Sequence, residues 1–174
     1  MAINSQRLRK LLTQNGNVTK KLLFSISKPT TFDPYLQLEE GKTYQLIQTS
    51  IHNGGSYFSS DIQLVWWFSQ NNSTTIIQWD KNTRTVTMKM FGQTIGTYKT
   101  PYSTYFYYEG LIITFKFYKD NSSSDYKCDY SIIINKEEKA KGSITLSSIF
   151  SGEVPYMINC SAGGRKTELY EISN

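Results

Sequence analysis

The sequence predicts an all-β protein, an antiparallel β-sandwich with a short N-terminal helix. With 174 residues, the chain fits one domain that can bury a sizeable core. It contains 13 Tyr, 9 Phe and 3 Trp, and aromatic residues favour the pleated, half-buried surface of strands. Short runs of alternating apolar and polar residues are separated by segments rich in Asn, Ser and Thr, as turns require. Since no long helical pattern separates these runs, a parallel α/β sheet is excluded.

The first predicted elements are a short helix and a strand. The helix covers residues 3–14, and Gly16 follows it as a stop. Three leucines at i, i+3 and i+4 form its apolar face, which needs a partner surface because so short a helix is marginal in water. From residue 18 to residue 26, apolar and polar residues alternate as in a strand. The three leucines are Leu8, Leu11 and Leu12.

The remainder of the chain is predicted to form one strand after another. The run at 62–68 is nearly all apolar, as in a strand that is covered on both faces. An Asp-Lys-Asn turn at 80–82 joins two apolar runs and indicates a hairpin. Trp66, Trp67 and Trp79 lie inside apolar runs, so we expect them in the core. The predicted strands are 44–51, 62–68, 74–79, 85–91, 93–98, 111–118, 126–134, 143–146, 154–159 and 166–172.

The order of these segments resembles a concanavalin A-like or laminin G-like jelly roll. DIQLVWWFS at 61–69 and TTIIQWDKNTRTVTMKMF at 74–91 look like the aromatic strand and hairpin of that family. GLIITFKFYKD at 110–120, YSIIINKEEKAKG at 130–142 and AGGRKTELYEISN at 162–174 look like its later strands. The match covers about residues 43–174, although the turn at 135–138 lacks the glycine commonly found there. No sugar-binding or calcium-binding motif of the family is present, so the resemblance implies the fold and not a ligand.

Basic charge is concentrated at the N-terminus. Residues 1–30 hold six basic groups and no carboxylate, whereas the other 144 hold 13 basic and 14 acidic groups. We therefore divide the chain into a basic docking arm, 1–30, and a sandwich domain, 31–174. Interspersed leucines favour docking onto an acidic, partly apolar protein surface over binding a nucleic acid, which is not expected as a partner. The residues expected to dock are Arg7, Leu8, Arg9, Lys10, Leu11 and Leu12.

A tyrosine-rich segment, PYSTYFYYEG at 101–110, is the candidate for recognition of a glycan or a protein. It holds too many aromatic residues for one face of an alternating strand, so some should be exposed or lie at an edge. Tyrosine suits interfaces because it offers a large apolar area with a polar tip. The alternative is an ordinary strand with one buried face. The candidate residues are Tyr102, Tyr105, Phe106, Tyr107 and Tyr108.

No catalytic residue or cofactor is expected. His52 is the only histidine, which removes most nucleophile–histidine–acid sites and most zinc sites. Sandwich glycosidases need two carboxylates in one cleft, but Glu168 and Glu171 are three residues apart in a predicted strand and point to opposite faces. A glycan-cleaving enzyme whose carboxylates converge from separate strands stays a third alternative.

Two further features are best explained as ordinary structural elements. Asp120, Asn121 and Asp125 supply oxygen atoms that could bind Ca²⁺, but their spacing is not that of an EF-hand, and such residues are common in hairpin turns. Cys128 and Cys160 are expected to be buried free thiols, with a single disulfide as the alternative.

These observations lead to the hypothesis of a non-enzymatic structural or adhesion protein. Its lectin-like sandwich would dock through the basic arm onto other subunits of a larger assembly and form a homo-oligomer. A bacteriophage virion is the suggested assembly, with this chain as a capsid decoration, head fibre or tail component. The alternative is a stand-alone carbohydrate-binding module. The sequence lacks an apolar run of about 20 residues and an apolar signal region, so we expect no membrane span and a location in a virion, in the cytoplasm or at a surface.

Overall fold

The computed structural model describes residues 19–26, 31–32, 38–67, 73–123, 125–146, 158–159 and 165–173. Within these residues the chain forms fourteen strands and no helix. The helix predicted at 3–14 and the docking residues at 7–12 lie outside the described residues. The strands are β1 (Thr19–Ile26), β2 (Thr31–Phe32), β3 (Thr43–Ser50), β4 (Ser56–Phe58), β5 (Ile62–Trp67), β6 (Ser73–Asp80), β7 (Thr85–Met90), β8 (Gln93–Lys99), β9 (Phe106–Tyr108), β10 (Gly110–Lys119), β11 (Tyr126–Ile134), β12 (Glu137–Leu146), β13 (Ile158–Asn159) and β14 (Arg165–Ser173).

The strands form two main sheets and two small ones, and all of these pairings are antiparallel. The six-stranded sheet has the order β1-β14-β3-β10-β11-β12, and the four-stranded sheet has the order β5-β6-β7-β8. Strand β4 pairs with β9, and β2 pairs with β13. The predicted fold class, an all-β antiparallel β-sandwich, is confirmed by these pairings.

Strand β10 shows how alternation in the sequence builds the core. Its inward residues are each 1% exposed, while the residues between them are half-buried on the outer face. The rings of Phe117 on β10 and Phe91 at the end of β7 meet edge to face at 5.4 Å and so join the two main sheets. Each such buried side chain contributes roughly 1.5–3 kcal/mol to stability. The inward residues of β10 are Leu111, Ile113, Phe115 and Phe117.

The turn between β11 and β12 is shorter than the predicted one. Asn135 and Lys136 have φ angles of 51° and 71°, as in the two-residue type I′ turn that matches the twist of a hairpin. Strand β12 therefore starts at Glu137, and the strand prediction at 143–146 is too short. The charged residues at its start are compatible with a strand because β12 lies at a sheet edge, where charges hinder pairing with other chains.

Three further predictions concern single residues or segments. Strand β1 lies within the predicted arm and pairs with β14, so this part of the arm is an edge strand of the sandwich. Trp79 is 1% exposed, which confirms its place in the core. Cys128 is a buried free thiol, as expected, while Cys160 lies outside the described residues. In the part of the chain that the structure describes, no helix has the length and apolarity needed to cross a membrane.

Candidate functional site

The tyrosine-rich segment forms half of a short ribbon in which β4 pairs with β9. Tyr57 lies opposite Tyr107, and Phe58 lies opposite Phe106. Because side chains alternate along a strand, Phe106 and Tyr108 point inward and are only 3% and 1% exposed. Tyr57 and Tyr107 occupy the outer face. The prediction of an exposed interface is therefore wrong for Tyr108, and buried Phe106 contributes only to the lining of a neighbouring cleft.

The inner face of the ribbon is fixed to both main sheets. The ring of Phe106 packs on Trp79 of β6 at a centroid distance of 5.5 Å. The Tyr108 hydroxyl donates to Gln48 Oε1 of β3 at 2.8 Å. These contacts hold the ribbon between the two sheets, so its outer face has a defined position.

Arg165 of β14 adds a third attachment. Its side chain is buried, and its guanidinium carbon lies 4.8 Å from the ring centroid of Phe58 and 4.6 Å from that of Tyr108. A planar cation between two ring faces gains electrostatic attraction as well as packing, because each ring face is electronegative. Arg165 therefore joins both strands of the ribbon to the six-stranded sheet.

Four tyrosines form a continuous cluster on the outer face of the ribbon. Tyr102 stacks on Tyr105 at 5.1 Å, Tyr105 meets Tyr57 edge to face at 5.2 Å, and Tyr57 packs on Tyr107 at 5.0 Å. Tyr57 is 65% exposed and Tyr102 is 54% exposed. We call Tyr57, Tyr102, Tyr105 and Tyr107 the tyrosine cluster. It places large aromatic surfaces in contact with solvent.

The tyrosine cluster borders a cleft of about 380 Å³, which we call the tyrosine cleft. Lys139 lies over the ring of Tyr98 in this cleft, at 4.3 Å from the centroid, and forms a 2.7 Å ion pair with Glu137. Burial, followed by the Glu137 carboxylate, raises the pKa of Tyr98, so its hydroxyl stays protonated and can donate a hydrogen bond. The cleft thus combines aromatic walls with a few polar groups.

Asn135 holds the corner between β9 and β10 beside the cleft. Its Nδ2 atom donates to the carbonyl oxygen of Tyr107 at 2.7 Å, and its Oδ1 atom accepts from the amides of Glu109 at 2.7 Å and Gly110 at 3.3 Å. Burial, followed by the Glu109 carboxylate, raises the pKa of Tyr107, whose hydroxyl donates to Glu109 Oε2 at 3.5 Å. This turn residue thus positions one wall of the tyrosine cleft.

The structure adds to the site several residues that the sequence analysis did not select. Tyr57 comes from a short strand fifty residues away along the chain, and Tyr98, Glu137 and Lys139 come from β8 and β12. The sequence does contain a signal for the strand that carries Tyr57, since the run Ser56–Phe58 comes directly after two glycines. Its partner strand, however, cannot be read from such a short pattern.

The other candidate residues lie elsewhere. Asp120 Oδ1 accepts from the side chain and the amide of Ser122 at 2.8 Å and 3.1 Å, and these bonds lower its pKa. The Asp120 amide donates to the carbonyl oxygen of Asp125, so the two residues close the turn between β10 and β11, which also contains Asn121. Among the described residues, no group of three or more His, Cys, Asp and Glu side chains could hold a metal ion. Calcium binding stays a hypothesis for this turn.

The histidine considered for catalysis lies on a different element from the two glutamates, which are both on β14. His52 is exposed in the loop between β3 and β4. Glu168 Oε2 accepts from the Tyr170 hydroxyl at 2.8 Å, whereas Glu171 forms a 2.8 Å ion pair with Lys42. The two carboxylates thus have different partners.

Comparison with known proteins gives structural likenesses at low sequence identity. No protein-family model matches the chain, and no curated protein matches it. Galectin LEC-6 of Caenorhabditis elegans is 14% identical, with 86% of this chain and 96% of the galectin covered and a TM-score of 0.42. Chicken galectin 2 is 9% identical, with 84% and 100% covered and a TM-score of 0.40. A toad ovary galectin in complex with N-acetylgalactose is 9% identical, with 85% and 100% covered and a TM-score of 0.39. Because these TM-scores are low, the fold assignment rests on the strand pairing itself.

Proposed function

We propose that this chain is a non-enzymatic carbohydrate-binding protein and that the tyrosine cleft is its glycan site. The observation that carries the proposal is the tyrosine cluster, which exposes aromatic rings beside a cleft and not on a flat surface. Its volume of about 380 Å³ falls within the range of small-molecule sites, which are mostly concave and aromatic with a few polar groups.

The chemistry of the cleft suits a sugar. One face of a pyranose ring presents C–H groups, which pack favourably on the electronegative face of an aromatic ring. Tyr57 and Tyr102 offer such faces because they are more than half exposed. The hydroxyl groups of the sugar need hydrogen-bond partners, and the protonated Tyr98 hydroxyl and the Lys139–Glu137 pair supply donors and acceptors. Aromatic stacking would therefore give affinity, and the polar groups would give orientation.

A glycan array followed by calorimetric titration of the best ligand tests this function. Tyr57→Ala and Tyr102→Ala should each weaken binding by about tenfold or more, since each removes an exposed stacking surface. Tyr118→Ala is the matched control, because Tyr118 lies on the outer face of β10 and bonds to Asp129. Absence of any bound glycan, or an equal loss in the Tyr118 variant, would contradict the proposal. Release of sugars from the bound glycan would contradict the non-enzymatic part.

We also propose that the sandwich is carried on a larger assembly, such as a phage virion, through the residues before β1. This proposal is supported by three basic groups, Arg7, Arg9 and Lys10, and by the absence of carboxylates in the residues before β1. Because β1 starts at Thr19 and pairs with β14, deletion of residues 1–17 should leave the sandwich folded. The truncated protein should fail to join the assembly in a co-sedimentation assay. Normal assembly of the truncated protein would show that these residues do not dock.

A further inference from the structure

The outer face of the six-stranded sheet carries a groove of about 490 Å³ over β10, β11 and β12. Most of its lining residues alternate with the core positions along their strands, and none of them belongs to the tyrosine cleft. Two adjacent cross-strand rows form its floor. We call these six residues the lysine groove: Thr114, Ser131 and Lys141 in one row, and Lys116, Asp129 and Ser143 in the other.

The lysine groove has an excess of positive charge. Lys116 and Lys141 form no ion pair within the described part of the chain, whereas Lys127, Lys136 and Lys139 each pair with a carboxylate. The only carboxylate in the groove is Asp129. Its Oδ1 atom accepts from the Tyr118 hydroxyl at 3.0 Å and from the Ser143 hydroxyl, so this oxygen is directed toward neutral donors. Lys116 Nζ lies 5.8 Å from the ring centroid of Tyr118, a contact that does not neutralise its charge, so both ammonium groups can still pair with an external anion.

A chain of hydrogen bonds makes Thr114 a donor toward the groove. Lys20 Nζ donates to Gln45 Oε1 at 2.7 Å, and Gln45 Nε2 donates to Thr114 Oγ1 at 3.1 Å. Because Thr114 Oγ1 accepts from the amide, its own hydrogen can be given to an acceptor. Within the described residues, Thr114 Oγ1 donates no hydrogen bond. The floor of the groove thus offers a hydroxyl donor on β10, on the same face of the strand as Lys116.

The register places the two lysines on either side of Ser131. Ser131 lies opposite Lys141 on β12 and one row from Lys116 on β10. Strands β10 and β12 flank β11 and are therefore separated by roughly 10 Å, twice the ordinary strand spacing. An anionic group above Ser131 could be reached by both flexible side chains and by the hydroxyls of the floor.

We propose that the lysine groove binds the carboxylate or sulfate groups of an acidic polysaccharide. Its charge complements an anion, and its hydroxyl-rich floor complements the hydroxyl groups of sugars. Single-stranded nucleic acids bind through exposed aromatic rings that stack on bases. The two aromatic residues of the groove lining, Phe115 and Tyr130, pack on the core side of the sheet. An acidic sugar chain therefore fits better than a nucleic acid. This site does not depend on the proposed function of the tyrosine cleft.

Titration of the full chain with dextran sulfate, and with uncharged dextran of the same length, tests the proposal. Dextran sulfate should bind and shift the backbone NMR signals of Thr114 and Ser131, whereas dextran should not. Lys116→Gln and Lys141→Gln should each weaken binding roughly three- to fivefold, because each removes one charge–charge contact. Lys89→Gln on β7 of the four-stranded sheet is the matched control and should change the affinity less than twofold.

Three results would overturn the proposal. Equal affinity of the Lys116, Lys141 and Lys89 variants for dextran sulfate would show that binding depends on the overall positive charge of the protein or on the basic arm. Loss of dextran sulfate binding in the Tyr102→Ala variant would move the site to the tyrosine cleft. Equally tight binding of single-stranded DNA with the same dependence on Lys116 and Lys141 would exclude a site made for acidic sugars. Thermal unfolding of each variant would show that the fold is retained.

Discussion

Tyr107 packs so closely on Gly55 that any side chain at residue 55 would have to displace the Tyr107 ring. A Cβ atom there would lie 2.5 Å from Tyr107 Cε1, well inside contact distance. Gly55 also has a φ angle of 86°, in the left-handed region that favours glycine. Tyr107 also packs on Tyr57. The loop between β3 and β4 therefore sets the position of one wall of the tyrosine cleft.

Substitution of Gly55 should disturb the cleft through this contact. Gly55→Ala should weaken glycan binding by about tenfold, because the new methyl group displaces the Tyr107 ring. Gly54→Ala is the matched control, since Gly54 has a φ angle of 83° but no atom within 4 Å of its Cβ position. Both variants should lose about 1–2 kcal/mol of stability from backbone strain, measured by urea denaturation. An equal loss of binding in the Gly54 variant would show that loop strain, and not the ring contact, matters.

Replacement of Arg165 tests the attachment of the β4–β9 ribbon. Arg165→Lys keeps the charge but loses the planar group between the Phe58 and Tyr108 rings. We expect a loss of about 2 kcal/mol in the free energy of unfolding. Water hydrates an ammonium more strongly than a guanidinium, so burying the lysine on folding also costs more. Arg84→Lys, the same change at an exposed turn residue, should have an effect below about 0.5 kcal/mol. Similar effects at the two positions would contradict a structural role for the stacked guanidinium.

Much of the fold follows from local pattern, because strands joined by short turns are specified by neighbouring residues. The alternation of Leu111, Ile113 and Phe115 predicts the inward face of β10, and the Asp-Lys-Asn turn predicts the β6–β7 hairpin. The early start of β12 is not predicted, since its charged residues are common in turns and are stable in a strand only at an edge.

The candidate site is only partly predictable, because it is formed by strands that are distant in the sequence. The excess of aromatics in 101–110 indicates that some are exposed, but the pairing of Tyr107 with Tyr57 is set by the order of strands in space. Arg165 follows two glycines in the sequence and, as a charged residue, would be expected at the surface. It is buried because two rings from the ribbon cover it, which no local pattern shows.

The Cys128 thiol should be unreactive in the folded protein. Burial, followed by the charge of Asp129, raises its pKa to about 12. With Cys160→Ser in the background, Ellman's reagent at pH 8 should modify Cys128 only after unfolding in urea. Because the folded pKa is raised, its contribution to stability is complete below the ordinary value of about 9 and declines as the pH rises toward 12. Stability should thus fall more steeply above pH 9 than in a Cys128→Ala variant. Rapid modification of the folded protein would contradict the burial.

The turn at Asn135 and Lys136 offers a stabilising substitution. Asparagine tolerates the left-handed region, but lysine at φ 71° is strained by its Cβ atom. Lys136→Gly should remove this strain, whereas Lys136→Ala keeps it.

Both substitutions also remove the 3.0 Å ion pair between Lys136 and Glu109. The difference in stability between the two variants therefore reports the strain of the positive φ angle alone. The Gly variant should unfold at a Tm roughly 3 °C above that of the Ala variant. Glu109→Gln, which removes the ion pair and leaves the turn intact, measures the contribution of the ion pair to stability. If the Ala variant is as stable as the Gly variant, the positive φ at residue 136 carries no strain.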